Sequence, residues 1–135
     1  MDGLNSAAGL GEWVAAELAA PAPDHKHIVR VLTTETDRWF TNGLTPETIG
    51  KLAAEPGRTG SSQWDALIEG IVAYRLHIAG LPAPEWTKAT TLDEGFDPYD
   101  GMVRDLGWHL LNVFDTPAEL LGKGVILPAS EMELV

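Results

Sequence analysis

Residues 64–86 constrain the fold of this chain more than any other stretch. They read WDALIEGIVAYRLHIAGLPAPEW, an apolar-rich run followed by a glycine, two prolines and a second tryptophan. At about 100° per residue, Glu69, Gly70, Ala73 and His77 fall on one side of a helix, opposite a broad apolar arc. The arc comprises Trp64, Leu67, Ile68, Ile71, Val72, Tyr74, Leu76, Ile78 and Ala79. Because one neighbouring helix cannot cover so wide an arc, the pattern predicts a central helix that packs against several others.

The two ends of this helix are also marked in the sequence. Ser62 is the candidate N-cap, and Asp65 stands three residues later, in the position of a capping box. Gly80 can adopt the left-handed conformation that ends a helix, and Pro82 and Pro84 prevent the helix from restarting. The central helix is therefore expected to begin at Ser62 and to end at Gly80.

Further helices follow from cap and breaker residues. Asp24 is a candidate N-cap, and Thr116, Pro117 and Glu119 have the pattern of a capping box with proline at the first helical position. Besides the central helix, the predicted helices cover 10–20, 24–43, 46–54, 97–114 and one or two turns after Thr116. An extended segment is predicted at 125–127. The fold class is therefore mainly α, a compact bundle of five or six helices with at most one short extended segment near the C-terminus.

The strongest candidate for an internal boundary is the breaker-rich stretch EPGRTG at 55–60. It separates an N-terminal helical segment, 10–56, from a C-terminal helical domain, 62–135, and residues 1–9 read as a flexible leader. A chain of 135 residues is long enough to bury one core. We therefore expect the two helical parts to pack as one unit.

The charge balance restricts the class of partner. Nine Lys and Arg residues against twenty Asp and Glu residues give a formal net charge of −11. That charge repels phosphate backbones and disfavours direct nucleic-acid binding, whereas it suits a basic protein partner or simply keeps the chain soluble. No run of about 18 apolar residues is present, so neither a membrane span nor a membrane partner is expected. The expected location is the cytoplasm.

The residues that usually carry catalysis form no recognisable pattern. There are no cysteines, which excludes disulfides and thiolate chemistry. His25 and His27 lie two residues apart, so on a helix they point about 200° from each other and cannot share a metal ion. Phosphate-binding loops and nucleophile elbows are also missing from the sequence. We expect no catalytic, cofactor-binding or metal-binding residues, and therefore no enzyme.

A few residues break the pattern of their helices and are the candidate partner-binding residues. Arg75 falls within the apolar arc, where it either pairs with an acid such as Asp37, Glu85 or Asp105 or completes an interface. Trp108 and Leu111 lie away from the main apolar face of the predicted 97–114 helix, and Trp86 closes the central stretch. Aromatic residues dominate the energetics of protein interfaces. The predicted partner-binding set is Arg75, Trp86, Trp108 and Leu111.

Residues 62–135 contain the motifs WDAL at 64–67, AGLPAPEW at 79–86, TPA at 116–118 and GVIL at 124–127. In this order and spacing the motifs resemble a small helical domain common in actinobacterial genomes. That domain is often attached to a helix-turn-helix and encoded beside a nucleotidyltransferase-like toxin of the abortive-infection kind. The resemblance implies an antitoxin-like or regulatory role through a protein partner and brings no catalytic residues. No helix-turn-helix pattern precedes Ser62 in this chain.

These observations lead to one function hypothesis and two alternatives. The hypothesis is an acidic, non-catalytic protein–protein interaction module, acting as an antitoxin-like neutraliser or an accessory regulator, with a nucleotidyltransferase-like toxin as the candidate partner. One alternative is a fragment of a transcription regulator that lacks its DNA-binding module. The other is a small helical enzyme or ligand-binding protein. Self-association into a homo-oligomer is also left open by the sequence.

Overall fold

The computed structural model describes residues 7–41, 45, 50, 59–92, 96, 98, 115–127 and 129. Over these residues the protein is mainly helical, as predicted. The helices are α1 (Ala7–Leu18), α2 (His25–Thr41), α3 (Ser62–Ile78), a short 3-10 helix (Glu85–Lys88) and the single-turn α4 (Ala118–Leu121). The predicted helices at 46–54 and 97–114 lie outside the described residues, apart from isolated positions. The predicted number of five or six helices therefore stays a prediction.

The first two helices form where their caps and apolar spacing predict, with small shifts at the ends. α1 begins at Ala7, inside the predicted leader, and Leu10 and Val14 are fully buried. At the start of α2, the backbone N–H of His27 donates to the Asp24 carboxylate at 3.1 Å, which confirms Asp24 as a cap. Ile28, in the first turn of α2, is fully buried.

The start of α3 differs from the prediction by one residue. Ser61, not Ser62, is the N-cap, and its hydroxyl accepts from the Trp64 N–H at 3.4 Å. The predicted capping-box partner Asp65 turns instead to Thr59, from which it accepts a backbone bond of 2.9 Å and a hydroxyl bond of 3.0 Å. Asp65 thereby holds the loop that precedes the helix.

The end of α3 confirms the predicted glycine stop. Gly80 has a φ of 75°, in the left-handed region that favours glycine. The N–H of Gly80 donates to the His77 carbonyl at 3.0 Å, and the N–H of Leu81 donates to the Leu76 carbonyl at 2.9 Å. This pair of bonds is the Schellman arrangement, which satisfies carbonyls that a helix end otherwise leaves without partners.

α3 is the centre of the described fold, as predicted; of its predicted polar side, His77 is exposed, but the prediction is wrong for Glu69 and Gly70. α1 and α2 contact α3, and so do the 3-10 helix and α4. Glu69 and Gly70, expected on the solvent side, are buried, because α4 covers that side as well. Ile78, assigned to the apolar arc, is 64% exposed, because it is the last residue of the helix.

The C-terminal segment closes the core with a short extended pairing. Phe96 and Val125 form an isolated parallel β-bridge, supported by bonds from Phe96 N–H to the Gly124 carbonyl and from Ile126 N–H to the Phe96 carbonyl. Val125 and Leu127 are fully buried. The predicted extended segment at 125–127 is thus present as a bridge. The capping box predicted before α4 is wrong, because Pro117 occupies the cap position without a side-chain bond and Glu119 contacts His77 instead.

Candidate binding groove

An open groove of about 660 Å³ lies beside the C-terminal end of α3. The turn after α3, the 3-10 helix and α4 form its other sides, and its apolar walls include Ala73, Leu81, Pro82 and Ala83. The sequence builds this shape locally. Gly80 reverses the chain after α3, and the prolines keep the next residues extended, so that they face the helix rather than continue it.

A buried ion pair marks what we call the inner end of the groove, at Lys123. Lys123 is a lining residue of the groove, and its ammonium lies 2.7 Å from Glu69 Oε1. It also donates to the backbone carbonyl of Thr90 at 2.7 Å. Thr90 returns two bonds to Glu69, from its backbone N–H at 2.9 Å and from its hydroxyl at 2.7 Å. The Glu69 and Lys123 side chains are only 2% and 9% exposed, so this network ties α3 to both segments that form the groove.

The network keeps Glu69 ionised despite its burial. Burial by itself raises the pKa of Glu69, but the hydrogen bonds from Lys123 and Thr90, together with the Lys123 charge, outweigh that effect. The net result is a pKa below the ordinary value of 4.5. At neutral pH the inner end of the groove therefore holds two opposite charges that neutralise each other.

The rim of the groove carries two side-chain pairs. His77 contacts Glu119, and their side chains are 76% and 19% exposed. Lys88, also on the rim, lies 3.7 Å from Glu85, and both of these side chains are largely exposed. An ion pair as exposed as Lys88 and Glu85 contributes little to stability. Either residue can therefore leave this pair and contact a partner at a small cost in free energy.

Two exposed apolar side chains lie on the helices that border the groove. Among the described residues, Ile78 and Leu121 are the large hydrophobic residues that are exposed, at 64% and 40%. Ile78 belongs to α3 and Leu121 to α4, and neither residue lines the groove itself. Scattered exposed apolar residues are normal on a protein surface.

Arg75, the first of the predicted partner-binding residues, is engaged inside the molecule. Its Nη2 donates to the Thr33 carbonyl at 3.0 Å, its Nε donates to the Thr36 hydroxyl at 3.3 Å, and its Nη1 lies 3.6 Å from Asp37. Burial lowers the pKa of Arg75, and the Asp37 charge opposes that shift. Asp37 was one of the three acids expected as its partner. The arginine therefore ties α3 to α2.

The other predicted partner-binding residues have different positions. Trp86 lies in the 3-10 helix, half-buried, and packs against the hydrophobic core. Neither Trp86 nor Arg75 lines the groove. Trp108 and Leu111 lie outside the described residues. The structure does not bring the predicted set together in the part of the chain that it describes, and the partner role of these residues stays a prediction.

Sequence reasoning missed the groove and the Glu69–Lys123 pair at its inner end. The two residues are 54 positions apart, and no local pattern joins them. Two weak signals were present. Gly70 stands beside Glu69 in a helix interior, where only a closely approaching neighbour favours glycine, and Lys123 stands between two glycines in an otherwise apolar segment.

Chemically, the groove offers apolar walls, an ammonium donor at its inner end and a carboxylate at its rim. The described residues contain no group of three or more His, Cys, Asp or Glu residues that could hold a metal ion, and no helix among them could span a membrane. Comparison of the chain with protein-family models, curated proteins and solved structures gave no match.

Proposed function

We propose that this chain is an acidic, non-catalytic module that binds a protein partner through the groove and the helices that border it. The observation that carries the proposal is the open groove of about 660 Å³, with Ile78 and Leu121 exposed on the two helices that border it. A groove of this size can receive several side chains of a partner segment, and exposed apolar residues on the same helices can add to the contact.

The overall charge supports a basic partner. A net charge of −11 speeds the approach of a positively charged protein and repels acidic competitors. We propose that binding neutralises or regulates this partner, in the manner of an antitoxin or an accessory regulator. A nucleotidyltransferase-like toxin is the partner that the sequence resemblance implies.

Rescue of growth tests the proposal. The nucleotidyltransferase-like product of the neighbouring gene is expressed alone and together with the chain. We expect the chain to restore growth and to co-purify with the toxin at a fixed ratio. The absence of such a gene from the neighbourhood would contradict this choice of partner, and a toxin that is neither bound nor inhibited would contradict the proposal itself.

A matched pair of double variants locates the surface. Ile78→Asp with Leu121→Asp places two charges on the helices that border the groove and should abolish rescue. Ala16→Asp with Ala19→Asp adds the same two charges at exposed positions in and just after α1 and should leave rescue unchanged. Circular dichroism and the thermal midpoint show that both variants are folded. Equal rescue by the two variants would place the contact elsewhere on the molecule.

A further inference from the structure

The groove has a specific combination of groups that indicates what kind of partner segment it takes. We infer that the groove binds a short stretch in which an apolar side chain stands next to a basic one. The apolar side chain enters the groove. A backbone carbonyl beside that side chain accepts a hydrogen bond from the Lys123 ammonium, and the basic side chain binds the Glu119 carboxylate. This inference rests on the proposed function and names the chemistry of the partner.

Lys123 has a donor that the described residues leave unused. An ammonium group has three N–H donors. The bonds to Glu69 Oε1 and to the Thr90 carbonyl, both 2.7 Å, occupy two of them. Lys123 is a residue of the groove lining and its side chain is 9% exposed, so we assign the third N–H to a group that enters there.

The charge of Lys123 decides which acceptor fits. Glu69 already neutralises the ammonium at 2.7 Å, so a second carboxylate would bring like charges close together in a buried place. A neutral oxygen meets no such repulsion. A peptide carbonyl is the neutral acceptor that every protein segment carries, and here it would lie at the end of a groove with apolar walls.

Glu119 decides which side chain stands next to the apolar one. It is the acidic residue that lines the groove, and in the free protein it contacts His77, whose side chain is 76% exposed. A guanidinium can replace the imidazole and form two parallel bonds to the carboxylate. The net charge of −11 favours the same sign of ligand. Lys88 on the rim lies 3.7 Å from Glu85, which offsets its charge, so Glu119 and the whole molecule both favour a basic residue.

Three capped peptides test the inference by nuclear magnetic resonance titration of the full-length, isotope-labelled chain. Their sequences are Gly-Leu-Arg-Gly, Gly-Leu-Glu-Gly and Gly-Gly-Arg-Gly. We expect the first peptide to shift the amide signals of Ala73, Gly80 and Leu81. We expect the other two peptides to bind at least tenfold more weakly, because one replaces the basic group with an acid and the other lacks the apolar side chain.

Two variants assign the groups. Glu119→Gln should reduce the preference for arginine over glutamate at least threefold. Replacing Glu69 and Lys123 together by methionine removes the donor without leaving a lone buried charge, and it should weaken the Gly-Leu-Arg-Gly peptide several-fold. Equal binding of all three peptides, tighter binding of the acidic peptide, or shifts confined to residues outside the groove would overturn the inference.

The peptide result and the rescue result separate the two proposals. Rescue that depends on Ile78 and Leu121, without selective peptide binding, would overturn the inference and leave the proposed function standing. Selective peptide binding without any effect on the toxin would leave the groove chemistry standing and contradict the antitoxin-like role.

Discussion

At the scale of single residues, Glu69 shows how a charge becomes part of the interior of this protein. The middle of α3 is buried on the side that its sequence marks as polar, and Glu69 is 1% exposed there. Lys123 and Thr90 surround its carboxylate with hydrogen bonds, so the carboxylate is stable only together with them. Removing one member of such a pair costs more than removing both, because it leaves an uncompensated buried charge.

We predict that Glu69→Gln destabilises the protein by about 3 kcal/mol at pH 7. The pKa of Glu69 lies below its ordinary value of 4.5 in the folded state. Its stabilising contribution is therefore complete above pH 4.5 and is lost as the pH falls through the folded-state pKa. Urea unfolding between pH 7 and pH 3 measures both effects. In the Glu69→Gln variant, the free energy of unfolding should lack the part of its decrease at low pH that protonation of Glu69 causes.

Glu12→Gln, at an exposed position of α1, is the control for this prediction. It should change the free energy of unfolding by less than about 0.5 kcal/mol at pH 7. If the Glu69 variant lost no more stability than this control, the ion pair would not contribute to the folded state.

Two isoleucines of α3 give a second prediction at this scale. Ile71 is 1% exposed and Ile78 is 64% exposed, so the same truncation meets opposite environments in one helix. Ile71→Ala should cost about 2–4 kcal/mol, because it leaves a cavity in a core whose total stability is about 5–15 kcal/mol. Ile78→Ala should cost less than about 0.5 kcal/mol. Denaturant unfolding of both variants checks the pair, and equal losses would show that α3 is not the centre of the core.

At the scale of elements, the contact between α3 and α4 depends on Gly70. A Cβ atom built there would lie 2.5 Å from Leu120 Cδ2 and 3.3 Å from the Glu119 carbonyl oxygen. Leu120 is fully buried and has little room to move. The absence of a side chain at this one position is what allows the single turn of α4 to lie against α3.

We predict that Gly70→Ala destabilises the protein by about 1–3 kcal/mol through overpacking, although alanine is otherwise the better helix former. Gly50→Ala is the matched control, because no atom of the described residues lies within 4 Å of a Cβ built at that helical position. The control should be neutral or stabilising by up to about 1 kcal/mol. Thermal unfolding of both variants measures the difference, and a stabilised Gly70 variant would show that α4 can move away.

The ends of elements could be predicted from the sequence where the signal is local. The Asp24 cap and the Gly80 stop each depend on residues a few positions apart, and both were predicted. Helical periodicity wrongly placed Glu69 and Gly70 on the solvent side. The polarity of a helix side does not show whether that side faces solvent or packs against a lysine that is distant in sequence. Arg75 was an intermediate case, in which the need for an acid was clear but three acids were candidates.

At the scale of the whole molecule, charge is the property that the sequence determines most directly. With a net charge of −11, we predict no measurable binding to random duplex DNA at about 0.15 M salt. A gel-shift assay with micromolar protein checks this expectation. A discrete complex at that salt concentration would favour the alternative of a transcription-regulator fragment.

The groove itself could not be predicted from the sequence, because it exists only where three separate segments meet. Its turn and prolines were visible at 80–84, but Thr90 and Lys123 join it through contacts over 21 and 54 positions. Hydrophobic periodicity and helix-capping patterns give information about residues that are close together in sequence. They carry no information about which distant lysine completes a site.

The order of synthesis gives the Glu69–Lys123 pair a consequence for the growing chain. Since translation proceeds from the N-terminus, α1, α2 and α3 leave the ribosome before Lys123 does. Arg75 can already join α3 to α2 at that stage, because Thr33 and Asp37 precede it. The Glu69 carboxylate must stay hydrated or protonated until α4 and Lys123 have been synthesised and can pack against α3. The side of α3 that later forms the groove is therefore buried only after α4 and Lys123 have been synthesised. On a ribosome that stalls before Lys123, the nascent chain exposes that side of α3 to solvent.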